Sequence, residues 1–291
     1  MKHQDTLEQM SLFDIELPPL QEAAEVIARA DVALESPQVN SKASHRGAIV
    51  PDEEFLHWPE TSNNIPSVSG ILKMLEKGLY KVNRHEFLSD VFECGAIAIS
   101  NRFDFRQAEQ REERYLQIIN KYDKDMQELI ACVFAEIFNL LSQQINHAVG
   151  FGDHLGELYM KSETSNKYTG QFFTPYSLSK CCAQITINSQ LVEDAIENDE
   201  ILTLNEPACG SSGMIIAAAD ILYNQYHFNI SRNLFVECSD IDSRCVHMSF
   251  LQLGLAGIPA VIFKRDTLSM QTWERWETPA YIMQYSRFVN A

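Results

Sequence analysis

The sequence lacks several features that would assign it to a membrane, secreted or zinc-binding class. It has no run of about 18 apolar residues, and its first residues, MKHQDTLEQM, lack the apolar core of a signal peptide. It has no Cys-x-x-Cys pair, and its seven cysteines are an odd number, which argues against a disulfide framework and a zinc knuckle. We therefore expect a cytoplasmic protein with reduced thiols.

Basic residues are also scarce. The chain has 23 Lys and Arg against 40 Asp and Glu, a formal net charge of -17. The imbalance is strongest in residues 1–60, where 4 basic residues meet 12 acids, a net charge of 4 minus 12, or -8. A nonspecific grip on phosphate would need a local basic patch, and the sequence shows no strong one.

What the sequence does contain is enough apolar material for a sizeable core, 45% of 291 residues. Residues 1–65 are rich in Pro, Ser, Asn and acids, with helical periodicity only at 21–34, which predicts a flexible acidic arm. Residues 66–160 show helical spacing and include MQELIACVFAEIFNLLSQQI, which predicts a helical domain. Residues 161–291 form the third predicted unit.

The third unit alternates short apolar runs with helical stretches. ILTLN (201–205), NLFVEC (233–238) and AVIFK (260–264) read as buried strands, with helices at 212–226 and 242–254 between them. This order predicts an α/β fold with a parallel sheet. Ligands of such sheets bind at the carboxyl ends of the strands.

Candidate ligand-binding residues follow each predicted strand. The first strand ends at Glu206 and continues into a turn of small residues, PACGSSG (207–213), that lets a ligand approach backbone amides. Asp240 follows the second strand, where such folds place the acid that holds ribose hydroxyls, and Asp266 follows the third. The alternatives are an ordinary glycine turn, a turn residue at 266, and a helix cap, which we prefer for Asp242.

An aromatic pair precedes the first strand in GQFFTPYSLSK, where Pro175 and Ser177 are expected to begin a helix. Phe172 and Phe173 can cover an adenine ring or attract a sulfonium by a cation-π contact. Composition alone leaves a plain core role open.

Four ordered motifs carry a family resemblance: GQFFTP (170–175), NEPACGSSGM (205–214), SDID (239–242) and DTL (266–268). They resemble the motifs of N6-adenine DNA methyltransferases, and in particular the modification subunit of type I restriction-modification systems. The resemblance covers about residues 150–270. One departure is GSSG at 210–213, where the family usually has GSGG.

The resemblance implies a Rossmann-like methyltransferase fold that binds S-adenosyl-L-methionine in a bacterial, phage or plasmid setting. Asp240 would hold the ribose and Asp266 the adenine edge. The full set of implied cofactor-binding residues is Gln171, Phe172, Phe173, Thr174, Pro175, Glu206, Pro207, Ala208, Gly210, Ser211, Gly213, Asp240, Ile241 and Asp266.

The family's catalytic Asn/Asp-Pro-Pro-Phe/Tyr motif, which receives a flipped adenine, does not follow the third strand. The nearest candidates are Thr278, Pro279 and Tyr281, a degenerate echo without a preceding apolar strand. The segment MQTWERWE is too polar and Trp-rich for a buried strand, and its closeness to Asp266 leaves little room for one. We therefore expect cofactor binding with weak or absent methylation of DNA.

Two partner hypotheses follow. The edge of an incomplete sheet is normally covered. Aromatic residues near the C-terminus can provide this cover within the chain or in a homodimer, and a partner protein is the alternative. These aromatic residues are Trp273, Trp276, Tyr281, Tyr285 and Phe288. The arm segment QMSLF, with Gln9, Leu12 and Phe13, resembles peptides that dock on the bacterial sliding clamp. The alternative is an amphipathic segment that folds onto its own chain.

The sequence is compatible with three functions. The first is an adenine-N6 DNA methyltransferase that needs another subunit to complete its active site. The second is a cofactor-binding pseudoenzyme that acts through a protein partner, for example against a restriction system. The third treats the acidic surface as a DNA mimic, which a basic groove beside Asp266 would argue against.

Overall fold

The computed structural model describes residues 65–78, 82–145, 149–162 and 172–289. The arm with Gln9, Leu12 and Phe13 lies outside these residues, and so does Gln171. The division into three units at 65 and 160 therefore stays a prediction.

Helices fill the first part of the described chain, and an α/β arrangement follows. The first part forms α1 (Val68–Gly78), α2 (Arg84–Ser100), α3 (Ala108–Ile119), α4 (Lys124–Ser142) and α5 (His154–Ser162). The second part forms α6 (Tyr176–Thr186), α7 (Ser189–Glu197), β1 (Leu202–Glu206), α8 (Gly213–Tyr226), the short α9 (Ile230–Asn233), β2 (Leu234–Asp240), α10 (Ser243–Leu255), β3 (Ala260–Asp266), β4 (Gln271–Glu277) and α11 (Pro279–Val289). One hydrophobic cluster runs through both parts, from Phe134 of α4 to Val236 and Ile262 of the sheet.

The strands form one sheet in the order β1-β2-β3-β4. The first three strands are parallel, with Glu206 paired to Cys238 and Asp240 to Lys264. The three predicted strands are confirmed, and β2 and β3 each continue two residues beyond their predicted ends. The longer strands bring Asp240 and Asp266 into the sheet as its last residues.

The expectation that the segment after Asp266 has no room for a strand is wrong. Residues Gln271–Glu277 form β4, which runs antiparallel to β3. A tight turn is enough to reverse the chain between antiparallel strands. The polar pattern misled the sequence reading because β4 is an edge strand, whose first residues are exposed while Trp276 and Glu277 are buried.

The sheet is buried mainly on one face. Leu204, Val236 and Ile262 share that face by strand register. Val236 and Ile262 belong to the cluster that contains buried residues of α8 and α10, and half-buried Leu204 packs against it. On the opposite face, Thr203 and Asn205 of β1 are exposed. Parallel sheets normally bury both faces; here this face is open at β1, whereas Val261 of β3 is buried and Phe235 of β2 lies against Tyr281 of α11.

Two classes of feature are absent from the described part of the chain. No helix there is long and apolar enough to cross a bilayer. Those residues also contain no cluster of three or more His, Cys, Asp or Glu side chains arranged for a metal ion. All seven cysteines are free thiols, and Cys94, Cys209, Cys238 and Cys245 are buried.

Candidate cofactor site

Three carboxylates stand at one edge of the sheet. Glu206, Asp240 and Asp266 are the last residues of β1, β2 and β3. Because these strands are parallel, their carboxyl ends meet at the same edge. The structure thus brings together the three acids that the sequence predicted for this site.

The turn after β1 has a left-handed backbone at two positions. Gly210 has a φ of +55° and Ser212 a φ of +75°, a region that favours glycine. A Cβ atom at residue 210 would lie 3.0 Å from the ring of Phe173. Glycine is therefore needed at 210 both for the backbone angle and for the close approach of the aromatic ring.

Hydrogen bonds from α10 hold this turn. Ser212 Oγ donates to Ser249 Oγ at 2.7 Å, and Ser249 Oγ donates to the carbonyl oxygen of Gly210 at 2.9 Å. The Glu206 carboxylate accepts from the Ala208 amide at 3.2 Å. These contacts fix the backbone of the turn before any ligand arrives.

Asp240 ties the end of β2 to the same turn. Its Oδ2 accepts from the Gly210 amide and its Oδ1 from the Asp242 amide, both at 2.9 Å. A carboxylate has about four lone-pair sites, so each oxygen keeps capacity for a ligand hydroxyl. Asp240 is half-buried at the carboxyl edge, and Ile241 beside it is exposed.

Asp242 has the structural role expected for it. It is the N-cap of α10, accepts from the Arg244 amide at 2.9 Å and also forms an ion pair with the Arg244 guanidinium. Burial raises the pKa of Asp242, but the hydrogen bonds and charge of Arg244 outweigh this and hold the pKa below its ordinary value. The prediction that Asp242 is a helix cap is confirmed.

Asp266 lies in the turn between β3 and β4. Its Oδ2 accepts from Ser269 Oγ at 2.8 Å and its Oδ1 from the Leu268 amide at 3.0 Å. The Ser269 hydrogen bond, followed by the backbone amides, lowers the pKa of Asp266. Thr267 Oγ1 donates to the carbonyl oxygen of Pro207 at 2.6 Å, which joins this turn to the turn after β1.

The two predicted aromatics differ in environment. Phe173 is half-buried, and its ring centroid lies 5.6 Å from that of Tyr159 on α5. Phe172 is 83% exposed. Helix α6 begins at Tyr176 with Pro175 as its N-cap, so the predicted helix start is confirmed. Thr174 and Pro175 are exposed.

A buried polar network that the sequence did not predict supports the turn after β1. Asp153, immediately before α5, accepts from Ser211 Oγ at 2.7 Å and from Gln252 Nε2 at 2.9 Å. Gln252 also donates to the carbonyl oxygen of Ser211 and accepts from the Leu155 amide at 3.1 Å. Ser211, predicted as a binding residue, is therefore turned into the protein with its hydroxyl on Asp153. A Cβ at Gly213 would lie 2.8 Å from Asp153 Oδ2, so this network also requires glycine at 213.

The degenerate catalytic candidates are not brought to this edge. Because β4 runs antiparallel, its last residue Glu277 pairs with Val261 at the start of β3. Thr278 is fully buried and donates to the carbonyl oxygen of Ile258 at 2.8 Å. At about 3.3 Å per residue, the length of β3 separates this position from Asp266 by roughly 20 Å. Pro279 and Tyr281 follow Thr278 on α11, at the opposite end of the sheet.

The C-terminal aromatics lie partly inside the chain. Trp276 is buried with its ring centroid 5.4 Å from that of Phe250, and Tyr281 lies 5.8 Å from Phe235. Trp273 is exposed. The side chains of Tyr285 and Phe288 lie outside the described part of the chain. Strand β4 itself covers the edge of β3.

The chain is similar to known proteins over part of its length. The family model for N-6 DNA methylases matches residues 151–290. No curated protein matches the chain. Two solved structures are similar in part: a type I restriction-modification system methyltransferase subunit from Streptococcus thermophilus, with 18% identity and a TM-score of 0.38, and a putative class I S-adenosylmethionine-dependent methyltransferase from Listeria monocytogenes, with 16% identity and a TM-score of 0.35.

The two structural matches cover different shares of the chains. The first match covers 71% of this chain and 40% of that chain, and the second covers 64% and 54%. The chain therefore spans about half or less of the length of these solved proteins. The family match includes every described residue of the carboxylate edge, and it implies S-adenosyl-L-methionine as the cofactor. Residues 151–290, slightly under half of the chain, match the N-6 DNA methylase family.

Proposed function

We propose that the carboxylate edge binds S-adenosyl-L-methionine and that the chain is the cofactor-binding part of an adenine-N6 DNA methyltransferase. The observation that carries this proposal is the Asp240 carboxylate, which accepts the Gly210 amide and keeps lone pairs for a ligand. The exposed apolar side chains at the same edge, Phe172, Ile241 and Leu268, suit the flat face of an adenine ring.

The residues present fit this cofactor chemically. Asp240 would accept from the ribose hydroxyls, Glu206 would meet the ammonium group of the methionine part, and Asp266 would accept from the adenine amino group. Phe172 would attract the sulfonium by a cation-π contact worth about 0.5 to 2 kcal/mol. The bound cofactor supplies the methyl group. This chain's own residues would hold and orient the cofactor.

Methyl transfer itself needs a base pocket beside the bound cofactor. Thr278, which stands where the sequence predicts an echo of the catalytic motif, is buried and bonded at the other end of the sheet. We therefore expect the isolated chain to bind the cofactor and to methylate DNA weakly or not at all. A tritiated-methyl transfer assay on unmethylated DNA tests this, and several turnovers per chain would contradict it.

Calorimetry tests the binding itself. The unmodified chain should bind S-adenosyl-L-methionine, and Asp240→Ala should weaken binding by about 10- to 100-fold, since a hydrogen bond to a charged group contributes about 1.5 to 3 kcal/mol. Asp199→Ala is the matched control, because Asp199 is exposed and pairs with Arg232 away from the edge. Failure of the unmodified chain to bind would remove the basis of the proposed function.

Partners of this function are DNA and further protein subunits. A homodimer through Trp273 and its aromatic neighbours is one hypothesis, and a light-scattering mass of one 33.2 kDa chain at micromolar concentration would count against it. A second hypothesis is docking on the sliding clamp through Gln9, Leu12 and Phe13. It requires that the double variant Leu12→Ala, Phe13→Ala is no longer pulled down with the clamp. A role in DNA methylation implies a cytoplasmic location in a bacterial, phage or plasmid system.

A further inference from the structure

Helix α8 contains a single charged residue, and that residue is buried. Asp220 lies among apolar and small residues in the helix sequence GMIIAAADILYNQY, and it is 5% exposed. Removing a carboxylate from water is costly unless charges and hydrogen-bond donors of the protein replace the water. The partners of Asp220 therefore decide whether the fold can hold a charge at this position.

Two of the groups that bind Asp220 come from α6. Its Oδ2 accepts from the Tyr176 hydroxyl at 3.0 Å and forms an ion pair with Lys180 Nζ at 2.8 Å. Its Oδ1 accepts from Asn224 Nδ2, one turn further along α8, at 2.6 Å. Burial, followed by the charge and the hydrogen bond of Asp220, raises the pKa of Tyr176 above its ordinary value. The Tyr176 phenol therefore keeps its proton and remains a donor.

Other contacts between α6 and α8 involve small side chains. Ala183 of α6 lies in a small cluster with Ala217 and Ala218 of α8, and Ser179 of α6 is fully buried. Small side chains let two helices approach closely, but they form shallow ridges and bury little apolar area, so they hold one helix weakly along the other. The charged contact at Asp220 therefore determines where α6 begins relative to α8.

The start of α6 in turn sets the position of the candidate cofactor segment. Tyr176 is the first residue of α6, and residues 172–175 directly precede it. Within this segment the ring of Phe173 lies against the turn, where a Cβ atom on Gly210 would be 3.0 Å from the ring. Helix α8, which carries Asp220, directly follows the same turn. The hydrogen bond from Tyr176 to Asp220 thus keeps the segment and the turn in one relative position.

We propose that Asp220 is a positioning residue that sets the selectivity of the site for a positively charged sulfonium over the neutral thioether. This role rests on the proposed function, in which Phe172 attracts the sulfonium of the cofactor. Such an attraction requires the charge to lie within about 6 Å of the ring centroid. If the segment is released from Asp220, the charged cofactor loses this attraction, whereas the neutral thioether S-adenosyl-L-homocysteine has none to lose.

A purely structural role of Asp220 would give a different result. A variant that only lowers the folded fraction weakens the binding of both compounds by the same factor, because the apparent Kd is the intrinsic Kd divided by the competent fraction. The ratio of the Kd for S-adenosyl-L-homocysteine to the Kd for S-adenosyl-L-methionine is then unchanged. A change in this Kd ratio therefore reports the position of the segment.

Tyr176→Phe tests this role, because it removes the hydroxyl that binds Asp220 and keeps the ring. Calorimetry of the full chain with both compounds should give a Kd ratio about 3- to 30-fold lower than that of the unmodified chain, which corresponds to loss of the cation-π contact. Asp220→Ala should lower the Kd ratio to a similar extent. An unchanged Kd ratio in Tyr176→Phe would overturn the proposal.

The helical part of the chain supplies a matched control. Asp90 of α2 is also 5% exposed, and it accepts from the Tyr122 hydroxyl at 2.8 Å and from Lys121 Nζ at 3.1 Å. Tyr122→Phe therefore removes the same kind of hydrogen bond, here between α2 and the segment before α4, and it should leave the Kd ratio unchanged. An equal fall of the Kd ratio in Tyr122→Phe and Tyr176→Phe would contradict a specific role of Asp220.

Failure of cofactor binding and failure of positioning give different results. If the unmodified chain binds neither compound, the proposed function fails and the role of Asp220 fails with it. If the unmodified chain binds S-adenosyl-L-methionine and Tyr176→Phe keeps its Kd ratio, only the role of Asp220 is overturned. Hydrogen exchange at equal saturation with S-adenosyl-L-methionine measures the segment directly. The amides of residues 172–174 should exchange faster in Tyr176→Phe than in the unmodified chain, and equal exchange would also overturn the proposal.

Discussion

At position 212 the chain has a serine in a backbone region that favours glycine. The φ of Ser212 is +75°, and a non-glycine residue in this region costs about 1 to 2 kcal/mol. The hydroxyl offsets part of the cost through its hydrogen bond to Ser249 at 2.7 Å. The GSGG of the resembling family has glycine at this position, and the backbone angle gives the physical reason.

Two substitutions at 212 separate these effects. Ser212→Gly relieves the backbone strain and loses one buried hydrogen bond of about 1 kcal/mol, so the free energy of unfolding should change by less than about 1 kcal/mol. Ser212→Ala loses the bond and keeps the strain, so it should lower that free energy by about 1 to 3 kcal/mol. Urea unfolding measures both. If alanine proves as stable as glycine, the backbone at 212 is not strained.

Residue identities at the site were largely readable from the sequence, but their partners were not. Glu206, Asp240 and Asp266 follow apolar runs and are the ends of strands in the structure. The role of Ser211 was missed because its hydroxyl donates to Asp153, 58 residues earlier in the chain. Local patterns cannot reveal a bond between such distant segments.

At the scale of elements, Gln252 joins three segments. From α10 it donates to Asp153 at 2.9 Å and to the carbonyl oxygen of Ser211, and it accepts from the amide that begins α5 at Leu155. Gln252 is fully buried, so loss of its amide leaves buried polar groups without partners. Through Gln252 the helical part of the chain supports the turn after β1.

Gln252→Leu should therefore be strongly destabilising. Each buried group left unsatisfied costs about 1 to 3 kcal/mol, so the free energy of unfolding should fall by at least about 2 kcal/mol, and cofactor affinity should fall because the turn loses its support. Gln190→Leu is the matched control, because Gln190 is exposed on α7 and its side chain donates to Asp194 of the same helix at 2.9 Å. Equal unfolding midpoints for the two variants would contradict this role.

Strand β4 could not be predicted from the pattern of apolar residues in the sequence. Parallel strands β1 to β3 were predicted because their apolar runs match burial on a covered face. In β4 the sequence QTWERWE buries mainly Trp276 and Glu277, and the latter is paired with Arg275 at 2.6 Å. A single edge strand with paired charges has neither the apolar run nor the alternation that sequence reading requires.

At the scale of the whole molecule, the chain carries a net charge of -17, and the bases next to Asp266 do not offset it because acids pair with them. The bases nearest Asp266 are each paired with an acid: Lys264 with Glu274 at 3.1 Å, and Arg265 with Glu237 at 3.4 Å. Paired bases release few counterions from DNA. Lys264 and Arg265 therefore offer a DNA duplex little unpaired positive charge beside Asp266.

This arrangement predicts the salt dependence of DNA binding. The chain alone should bind duplex DNA more weakly than about 10⁻⁵ M at physiological salt, with a log-log salt slope near zero, whereas six phosphate contacts would give a slope of about -5. Glu274→Lys should steepen the slope and tighten binding, because it frees Lys264 and adds a base beside it. Glu193→Lys, on exposed α7, changes net charge equally but lies away from β3 and β4, so it should have a smaller effect. Fluorescence anisotropy over a salt series measures all three chains, and a steep slope for the unmodified chain would show that it grips DNA without a partner.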